Sequence, residues 1–219
     1  MFTPDQSQGV ALFARLFSSL YINPPTLELL QELTQQNFAD QWPFDQDQQS
    51  RATLNHWHAT LAQEDNLSAL QKKLTQEHLH LFIGVGMPQV PLWGSVYLDA
   101  ENLLMGPSCQ ALEKFLAQAD LMCTLKVREP LDHLGLILAA LAVFLERIRK
   151  DGHQNQDVLL TIKNFLELHI NPWVYRCLAL QEQQASSFFY QAVGQLTHSL
   201  LLNLSQVFNA QKIKTQLYY

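Results

Sequence analysis

Apolar residues recur along most of the chain at the spacing of one helix face. The first such stretch predicts a helix over 10–20, where the repeating positions are Leu12, Phe13, Leu16, Phe17 and Leu20. The same spacing, with capping and breaking residues at its ends, predicts further helices over 26–33, 48–64, 66–81, 107–118, 130–150, 155–170 and 186–207. No segment alternates as a half-buried strand would. The chain is therefore expected to form an all-α fold, a single compact domain over 1–219 with no sheet beyond an incidental pair of residues.

The helical spacing stops between residues 84 and 106, where glycines, prolines and aromatics predict an irregular loop near the middle of the chain. The loop nevertheless carries four large apolar or aromatic residues, Met87, Leu92, Trp93 and Tyr97. Apolar groups on stiff backbone suit the recognition of an apolar peptide at low entropic cost. They could equally plug the core, and both readings stay open on the loop alone.

A second unusual stretch is 128–135, Arg-Glu-Pro-Leu-Asp-His-Leu-Gly. It places Glu129, Asp132 and His133 at the mouth of the most apolar segment, 134–145, where polar groups are expensive to bury. Pro130 suits a first helical turn and would place Asp132 in that turn, an exposed or half-buried position favoured by the helix dipole. Two interpretations of Asp132 and His133 therefore stay open. The pair either caps the helix or binds a positively charged partner.

The composition narrows the classes of partner. The chain has 219 residues, with 14 basic and 20 acidic side chains. No stripe of lysine and arginine is available to neutralise phosphates, so nucleic acid is not an expected partner. The acidic balance instead suits a partner whose recognised end is positive.

Three cysteines without CxxC spacing indicate reduced thiols in a cytoplasmic protein, and no signal peptide is recognisable. The apolar segment 134–145 is shorter than the ~20 residues that cross a bilayer, so membrane insertion is not expected.

The histidines raise the alternative of an enzyme. A helical metal-dependent or acid–base enzyme would use Asp132, His133 and the other histidines. However, the pairs His56/His58 and His78/His80 are two residues apart, and such residues point to different sides of a helix. Surface histidines are the favoured interpretation, and His169 is expected to fasten the C-terminal helices. No nucleophile elbow or phosphate loop is present, so no catalytic residue, metal site or cofactor is predicted.

Three motifs carry a resemblance to a known family. They are Pro-x-x-Pro-x-Trp-Gly-Ser-Val-Tyr-Leu-Asp at 88–99, Glu-Pro-x-Asp-His-x-Gly at 129–135 and His-Ile-Asn-Pro-Trp at 169–173. In this order and with helices between them, they resemble the TorD/DmsD family of redox-enzyme maturation chaperones, with more likeness to the DmsD branch. The resemblance spans about 12–207.

The resemblance implies a cytosolic, all-helical chaperone that is not an enzyme. Such a protein binds the twin-arginine leader of a molybdenum-containing reductase catalytic subunit, of the dimethyl sulfoxide or trimethylamine N-oxide type, and delays Tat export until the cofactor is inserted. The residues that the family would use for the leader map onto Trp93, Gly94, Ser95, Tyr97, Glu129, Asp132 and His133. The loop chemistry adds Met87 and Leu92 to this set.

Three expectations follow for the site. The stretches 84–99 and 129–135 should lie against each other and form one concave surface. Binding should be sensitive to salt, with a modest dependence on protonation of His133. Gly86-Met87 stands where DmsD-type chains often carry a bulky aromatic residue, which predicts a differently shaped pocket. For the oligomer, a monomer and a dimer that exchanges halves through a connection such as 121–128 both stay open.

Overall fold

The computed structural model describes residues 3–84, 86–121, 129–151 and 156–219. Predictions that fall on 122–128, including Arg128, Cys123 and the connection considered for domain exchange, lie outside the described residues. Within the described ranges the helices are α1 (Pro4–Ile22), α2 (Leu27–Gln35), α3 (Gln48–Ala62), α4 (Leu67–His78), α5 (Gly94–Leu98), α6 (Pro107–Gln118), α7 (Leu134–Asp151), α8 (Gln156–Phe165), α9 (Val174–Gln184) and α10 (Phe188–Val207).

This architecture confirms the all-α prediction. Across the described ranges the structure contains no strand, and its one β-bridge joins Trp93 to His133. A 3-10 turn lies at Ala39–Gln41, and π-helical turns at Leu79–Ile83 and Leu166–Ile170 extend α4 and α8. None of the helices in the described part of the chain is both long and apolar enough to cross a membrane. The single domain over 1–219 stays a prediction.

Side-chain caps set where several helices begin. Thr3 and Gln6 form a reciprocal capping box, which starts α1 six residues earlier than its apolar pattern indicated. The Thr26 hydroxyl accepts a hydrogen bond from the Leu29 N–H at 3.1 Å, as the sequence predicted for α2. Ser187 caps α10 in the same way. These ends are local sequence features and need no tertiary contact.

The core is built around α7, which packs against α1 and α8. Its residues Leu134, Leu138, Leu141 and Leu145, spaced by four, three and four, are completely buried. They belong to one continuous cluster of buried side chains that includes residues of α1, α3, α9 and α10. The burial of α7 holds its first residues, and the turn before them, in one position.

Helix α1 approaches the start of α7 closely. The Ser18 hydroxyl donates to the Gly135 carbonyl at 2.7 Å. A Cβ atom at Gly135 would lie 2.6 Å from Ile22 Cγ1, so a glycine is required for this approach. On the surface, Arg15 makes a bidentate ion pair with Glu146, with distances of 2.8 and 2.9 Å. The start of α7 is therefore anchored from the α1 side.

The prediction that Pro130 and Asp132 lie in the first turn of this helix is wrong. Helix α7 begins at Leu134, and a turn precedes it in which the His133 N–H donates to the Pro130 carbonyl at 3.0 Å. The Leu134 N–H donates to the Leu92 carbonyl at 2.7 Å. Leu92 belongs to the stretch 84–99, which will be called the middle loop. The helix starts later because its first donors are engaged by neighbouring segments.

Candidate functional site

The middle loop and the turn before α7 lie against each other, as predicted. Besides the bond between Leu134 and Leu92, the Gly94 N–H donates to the Asp132 carbonyl at 3.1 Å. The Trp93 and His133 backbones pair in the β-bridge, and their rings meet edge to face with centroids 5.8 Å apart. The two stretches with unusual chemistry therefore form one continuous unit.

Asp132 lies at the centre of this unit and is buried, with 3% of its surface exposed. Its Oδ2 accepts a hydrogen bond from the Ser95 N–H at 2.6 Å. Among the described residues, neither Oδ1 nor the neighbouring Ser95 hydroxyl makes a hydrogen bond of ordinary geometry. The Cys109 thiol of α6 lies near the carboxylate, and burial together with this negative charge raises the pKa of Cys109 to about 11. The expectation of an exposed or half-buried carboxylate is wrong, because the start of α5 lies directly against it.

A cavity of about 270 Å³ lies beside this carboxylate. Its lining consists of Gly94, Leu98, Ser108, Ala111, Leu112, Asp132, Leu168, His169 and Trp173. The lining is mostly apolar, with a few polar groups, which is the usual composition of a ligand site. The volume is slightly below that of a drug-sized site, so it suits a single side chain better than a whole ligand. The two predicted stretches contribute Gly94, Leu98 and Asp132 to this concave surface, and the other six lining residues come from α6 and from 168–173.

Trp93, Glu129 and Met87 are the predicted site residues that reach the protein surface. Trp93 is half-buried, and its indole N–H donates to the carboxylate of the exposed Glu129 at 3.0 Å. Met87 is 53% exposed. Trp93 and Glu129 thus present an aromatic ring and a carboxylate side by side, and Met87 presents a flexible apolar side chain elsewhere on the same loop.

His133 is a buried helix cap. Its Nδ1 accepts a hydrogen bond from the Gly135 N–H at 3.1 Å, which satisfies one of the free donors at the start of α7. Burial, with a smaller contribution from His78, lowers the pKa of His133 to about 4. The imidazole is therefore neutral at pH 7. The modest pH dependence of binding that was expected from His133 should therefore occur near pH 4 and not near pH 6.5.

Three further predicted residues, Leu92, Ser95 and Tyr97, are completely buried. The Tyr97 hydroxyl donates to the Pro91 carbonyl at 2.7 Å, and the Tyr97 ring stacks on that of Trp173 at 5.4 Å. These side chains pack into the core beneath the loop. Leu92 and Tyr97 therefore fit the second interpretation of the loop, in which its apolar residues fill the core.

Gly94 has a steric role at this point. A Cβ atom there would lie 2.9 Å from Trp173 Nε1, a distance that side chains do not tolerate without a shift. We expect Gly94→Ala to displace Trp173 and to destabilise the fold by ~1–3 kcal/mol, the usual effect of overpacking. Thermal unfolding followed by circular dichroism measures this loss. An unchanged melting temperature of Gly94→Ala would contradict this steric role.

Sequence reasoning missed most of the cavity wall, including Leu98, Ser108, Leu112 and Leu168. His169 was assigned to fastening the C-terminal helices, and its ring does contact Phe115 of α6 at 4.8 Å. It also lines the cavity, and burial lowers its pKa to about 4. The motif at 169–173 was the available signal, because it places His169 and Trp173 four residues apart and the Trp173 indole donates to the His169 carbonyl at 2.8 Å.

The remaining histidines do not form a metal centre within the described residues, where no group of three or more suitable ligands occurs. His56 and His80 are exposed, and they contact Phe188 and Gln89 respectively. The surface interpretation is wrong for His78, which is 1% exposed and packs between Phe82 and Tyr190. Burial lowers its pKa to about 4, so it is a neutral core residue.

The fold and the site together define an all-helical protein with a recessed carboxylate beside a cavity and an aromatic side chain at the surface. A family described as "Nitrate reductase delta subunit" matches residues 45–179. The probable Tat proofreading chaperone DmsD of Haemophilus influenzae is 31% identical over 194 residues, which cover 87% of each chain. The Tat proofreading chaperone DmsD of Salmonella typhimurium is 31% identical over 200 residues, or 90% of this chain and 89% of the relative. The chaperone protein TorD of Shewanella pealeana is 26% identical over 193 residues, or 84% and 83%.

The chain therefore belongs to the TorD/DmsD family of redox-enzyme maturation chaperones. This membership confirms the resemblance carried by the three motifs. It also confirms the expectation of a chaperone rather than an enzyme, since the relatives are named as chaperones.

Proposed function

We propose that the protein binds the twin-arginine leader of a molybdenum-containing reductase catalytic subunit, of the dimethyl sulfoxide or trimethylamine N-oxide type. It does so in the cytoplasm and delays Tat export until the cofactor is inserted and the subunit has folded. The relatives named Tat proofreading chaperone support the general class of activity. Met87, Leu92, Trp93, Gly94, Ser95, Tyr97, Glu129, Asp132 and His133 form the proposed site, either in contact with the leader or behind it.

The observation that carries the proposal is the unpartnered Oδ1 of Asp132. A buried acceptor without a donor is unfavourable, and more so when it carries charge, by at least ~1–3 kcal/mol. Six buried side-chain atoms of the described residues lack a partner, and Asp132 Oδ1 is the only carboxylate oxygen among them. Because Asp132 also lines a cavity, a donor from a bound molecule is a suitable partner for it. An arginine side chain entering the cavity would supply both the donors and the compensating charge through a charge-assisted hydrogen bond.

Glu129 and Trp93 offer a second place for a cation at the surface. Glu129 uses one carboxylate oxygen for the Trp93 indole, and the exposed position of the side chain leaves it accessible to a second arginine. An arginine can also stack on the Trp93 ring. One recessed carboxylate and one exposed carboxylate therefore suit two adjacent cations, and the net charge of −6 favours their approach.

Titration calorimetry with two synthetic leaders tests this function. The first is the leader of a dimethyl sulfoxide reductase catalytic subunit, and the second is the same peptide with both arginines changed to lysine. We expect the arginine peptide to bind more tightly, by about tenfold, because lysine lacks the planar fork that matches a carboxylate. Affinity should fall as salt is raised. Equal affinity for both peptides, or no binding of either, would contradict the proposed function.

Trp93→Ala should lower the affinity for the arginine peptide by about tenfold, because it removes apolar contact at the edge of the site. The salt dependence should stay as in the parent, since no charge is lost. Trp93→Phe is the matched control, because it keeps an aromatic ring of smaller area and removes the indole N–H bonded to Glu129. If Trp93→Ala changed the slope of affinity against salt and left the affinity at low salt intact, the contact role of Trp93 would be wrong.

A further inference from the structure

Three consecutive large apolar residues are exposed in the loop that joins α5 to α6. Leu103 is 58% exposed, Leu104 48% and Met105 66%. Single exposed apolar residues are common on protein surfaces and need no explanation, but neighbouring ones that form a patch indicate an interaction site. The three residues will be called the apolar loop.

The apolar loop has an unfavourable backbone conformation that two side-chain hydrogen bonds support. Asn102 and Met105 both have left-handed backbones, with φ of 52° and 61°. Asparagine tolerates this region, whereas methionine does so at a cost. The Asn102 side chain donates to the Val96 carbonyl at 2.6 Å, and the Ser108 hydroxyl donates to Asp99 at 3.0 Å across the base of the loop. A strained residue that the surrounding contacts hold in place is a reason to look for function.

The position of the loop connects it to the cavity beside Asp132. Both elements that it joins contribute to the cavity wall, α5 through Gly94 and Leu98, and α6 through Ser108, Ala111 and Leu112. The segment that carries the apolar loop therefore leaves the cavity wall at Leu98 and returns to it at Ser108. A chain anchored at Asp132 and continuing past α5 and α6 would meet apolar side chains next.

The negative charges around the apolar loop indicate what kind of partner binds there. Asp99 and the exposed Glu101 flank the apolar loop, and Asp132 and Glu129 carry further negative charge at the site. Loops that insert into membranes pair apolar residues with lysine and arginine, which attract anionic lipid, so the acidic surroundings here disfavour a membrane. They suit a peptide with a cationic segment followed by an apolar one.

We propose that the apolar loop binds the apolar stretch that follows the arginine pair of the leader, while Asp132 and Glu129 hold the arginines. This inference rests on the proposed function and extends it to residues outside the three motifs. Recognition of the leader then requires both of its chemical segments, in their order along the peptide.

The test uses Met105→Asn in the full chain. Asparagine accepts the left-handed backbone better than methionine does, so the melting temperature should stay unchanged or rise. Removing the apolar side chain should weaken binding of a peptide with two adjacent arginines and a ten-residue leucine–alanine segment, by about five- to tenfold. A shorter peptide that ends after the arginines should bind the parent and the variant equally. If binding weakens while the melting temperature does not fall, Met105 contacts the peptide directly and does not act only by stabilising the fold.

Two further variants complete the design. Leu103→Gln should reproduce the loss with the long peptide. Leu160→Gln, at a 55% exposed leucine on α8, is the matched control and should leave both affinities unchanged.

Several outcomes would overturn the inference. They are equal affinity of parent and Met105→Asn for the long peptide, an equal loss for both peptides, or a variant that is altered only in vesicle binding or self-association. If the parent binds the long and the short peptide equally, the inference falls and leader binding stands. If the parent binds neither peptide, the proposed function itself is wrong.

Discussion

Asp132→Asn is expected to weaken leader binding by about ten- to a hundredfold while leaving the protein as stable as the parent, or more stable. The amide oxygen of asparagine can still accept the 2.6 Å hydrogen bond from the Ser95 N–H, so the local backbone keeps its support. The amide nitrogen replaces Oδ1, the atom without a partner among the described residues, and although its two N–H donors are then buried, a neutral amide costs less to bury than a charged carboxylate. What disappears is the charge, and a desolvated contact between a carboxylate and an arginine is worth ~1.5–3 kcal/mol.

Stability moves in the opposite direction to binding because a buried carboxylate that lacks a cation is unfavourable in the free protein. Removing its charge relieves that penalty when no leader is bound. This differs from the expectation for an exposed helix cap, where loss of the charge would destabilise by ~0.5–1 kcal/mol through the helix dipole. The burial of Asp132 therefore changes the expected sign of the stability effect.

Calorimetry with the arginine leader and thermal unfolding of the free protein measure the two effects. Asp132→Ala is the contrasting variant, because it also strands the buried Ser95 N–H and should unfold at a lower temperature. Glu129→Gln should reduce binding less than Asp132→Asn, since the carboxylate of Glu129 is exposed and screened by water. If Asp132→Asn bound the leader as tightly as the parent, the carboxylate would be a structural group and the assigned site would be wrong.

Most of the fold was predictable because its signals are local. Apolar spacing together with caps such as Thr26 located most of the long helices to within four residues, and α1 to within six. Helix α5 was missed, because five residues that begin with a glycine and have no side-chain cap carry no periodic signal. Helix α9 was missed as well, since its buried side includes the polar residue Gln181, which bonds to Tyr21 and to the Tyr190 carbonyl. Such a position is recognisable only when its tertiary partners are known.

The site was predictable in part for a different reason. Motifs along the chain revealed which residues carry unusual chemistry. Together with the family resemblance, which assigns both stretches to leader recognition, they predicted that the middle loop and the turn before α7 lie against each other. The burial of individual site residues could not be deduced, because it depends on which segments pack against them. Asp132 is buried because the start of α5 packs against it. The cavity wall was missed for the same reason, since Leu112 and Leu168 are ordinary helix residues in the sequence and meet only in three dimensions.

The second large effect is a loss of stability as the pH falls from 6.5 toward 4. Burial lowers the pKa of His133 to about 4, below the ~6.5 of an unfolded histidine, so the unfolded chain binds a proton in this window and the folded chain does not. The contribution of neutral His133 to stability is fully present above pH 6.5, and it is lost at lower pH as protonation favours the unfolded chain. At pH 5 the loss of stability amounts to about 2 kcal/mol for His133 alone. His78, whose pKa is also lowered to about 4 by burial, adds to the loss in the same window.

His133→Asn isolates the contribution of this residue. Asparagine is a favoured helix cap whose side-chain oxygen can accept from the Gly135 N–H as Nδ1 does, but it does not titrate. The variant leaves a smaller side chain in a buried position and so starts from a lower stability at pH 7; the quantity to compare is therefore the change between pH 7 and pH 5, obtained from urea unfolding. We expect this change to be about 2 kcal/mol smaller than in the parent. His56→Asn, at an exposed histidine on α3, should retain the slope of the parent. An unchanged slope in His133→Asn would mean that His133 accepts a proton in the folded protein as readily as in the unfolded chain, and its role as a neutral buried cap would be wrong.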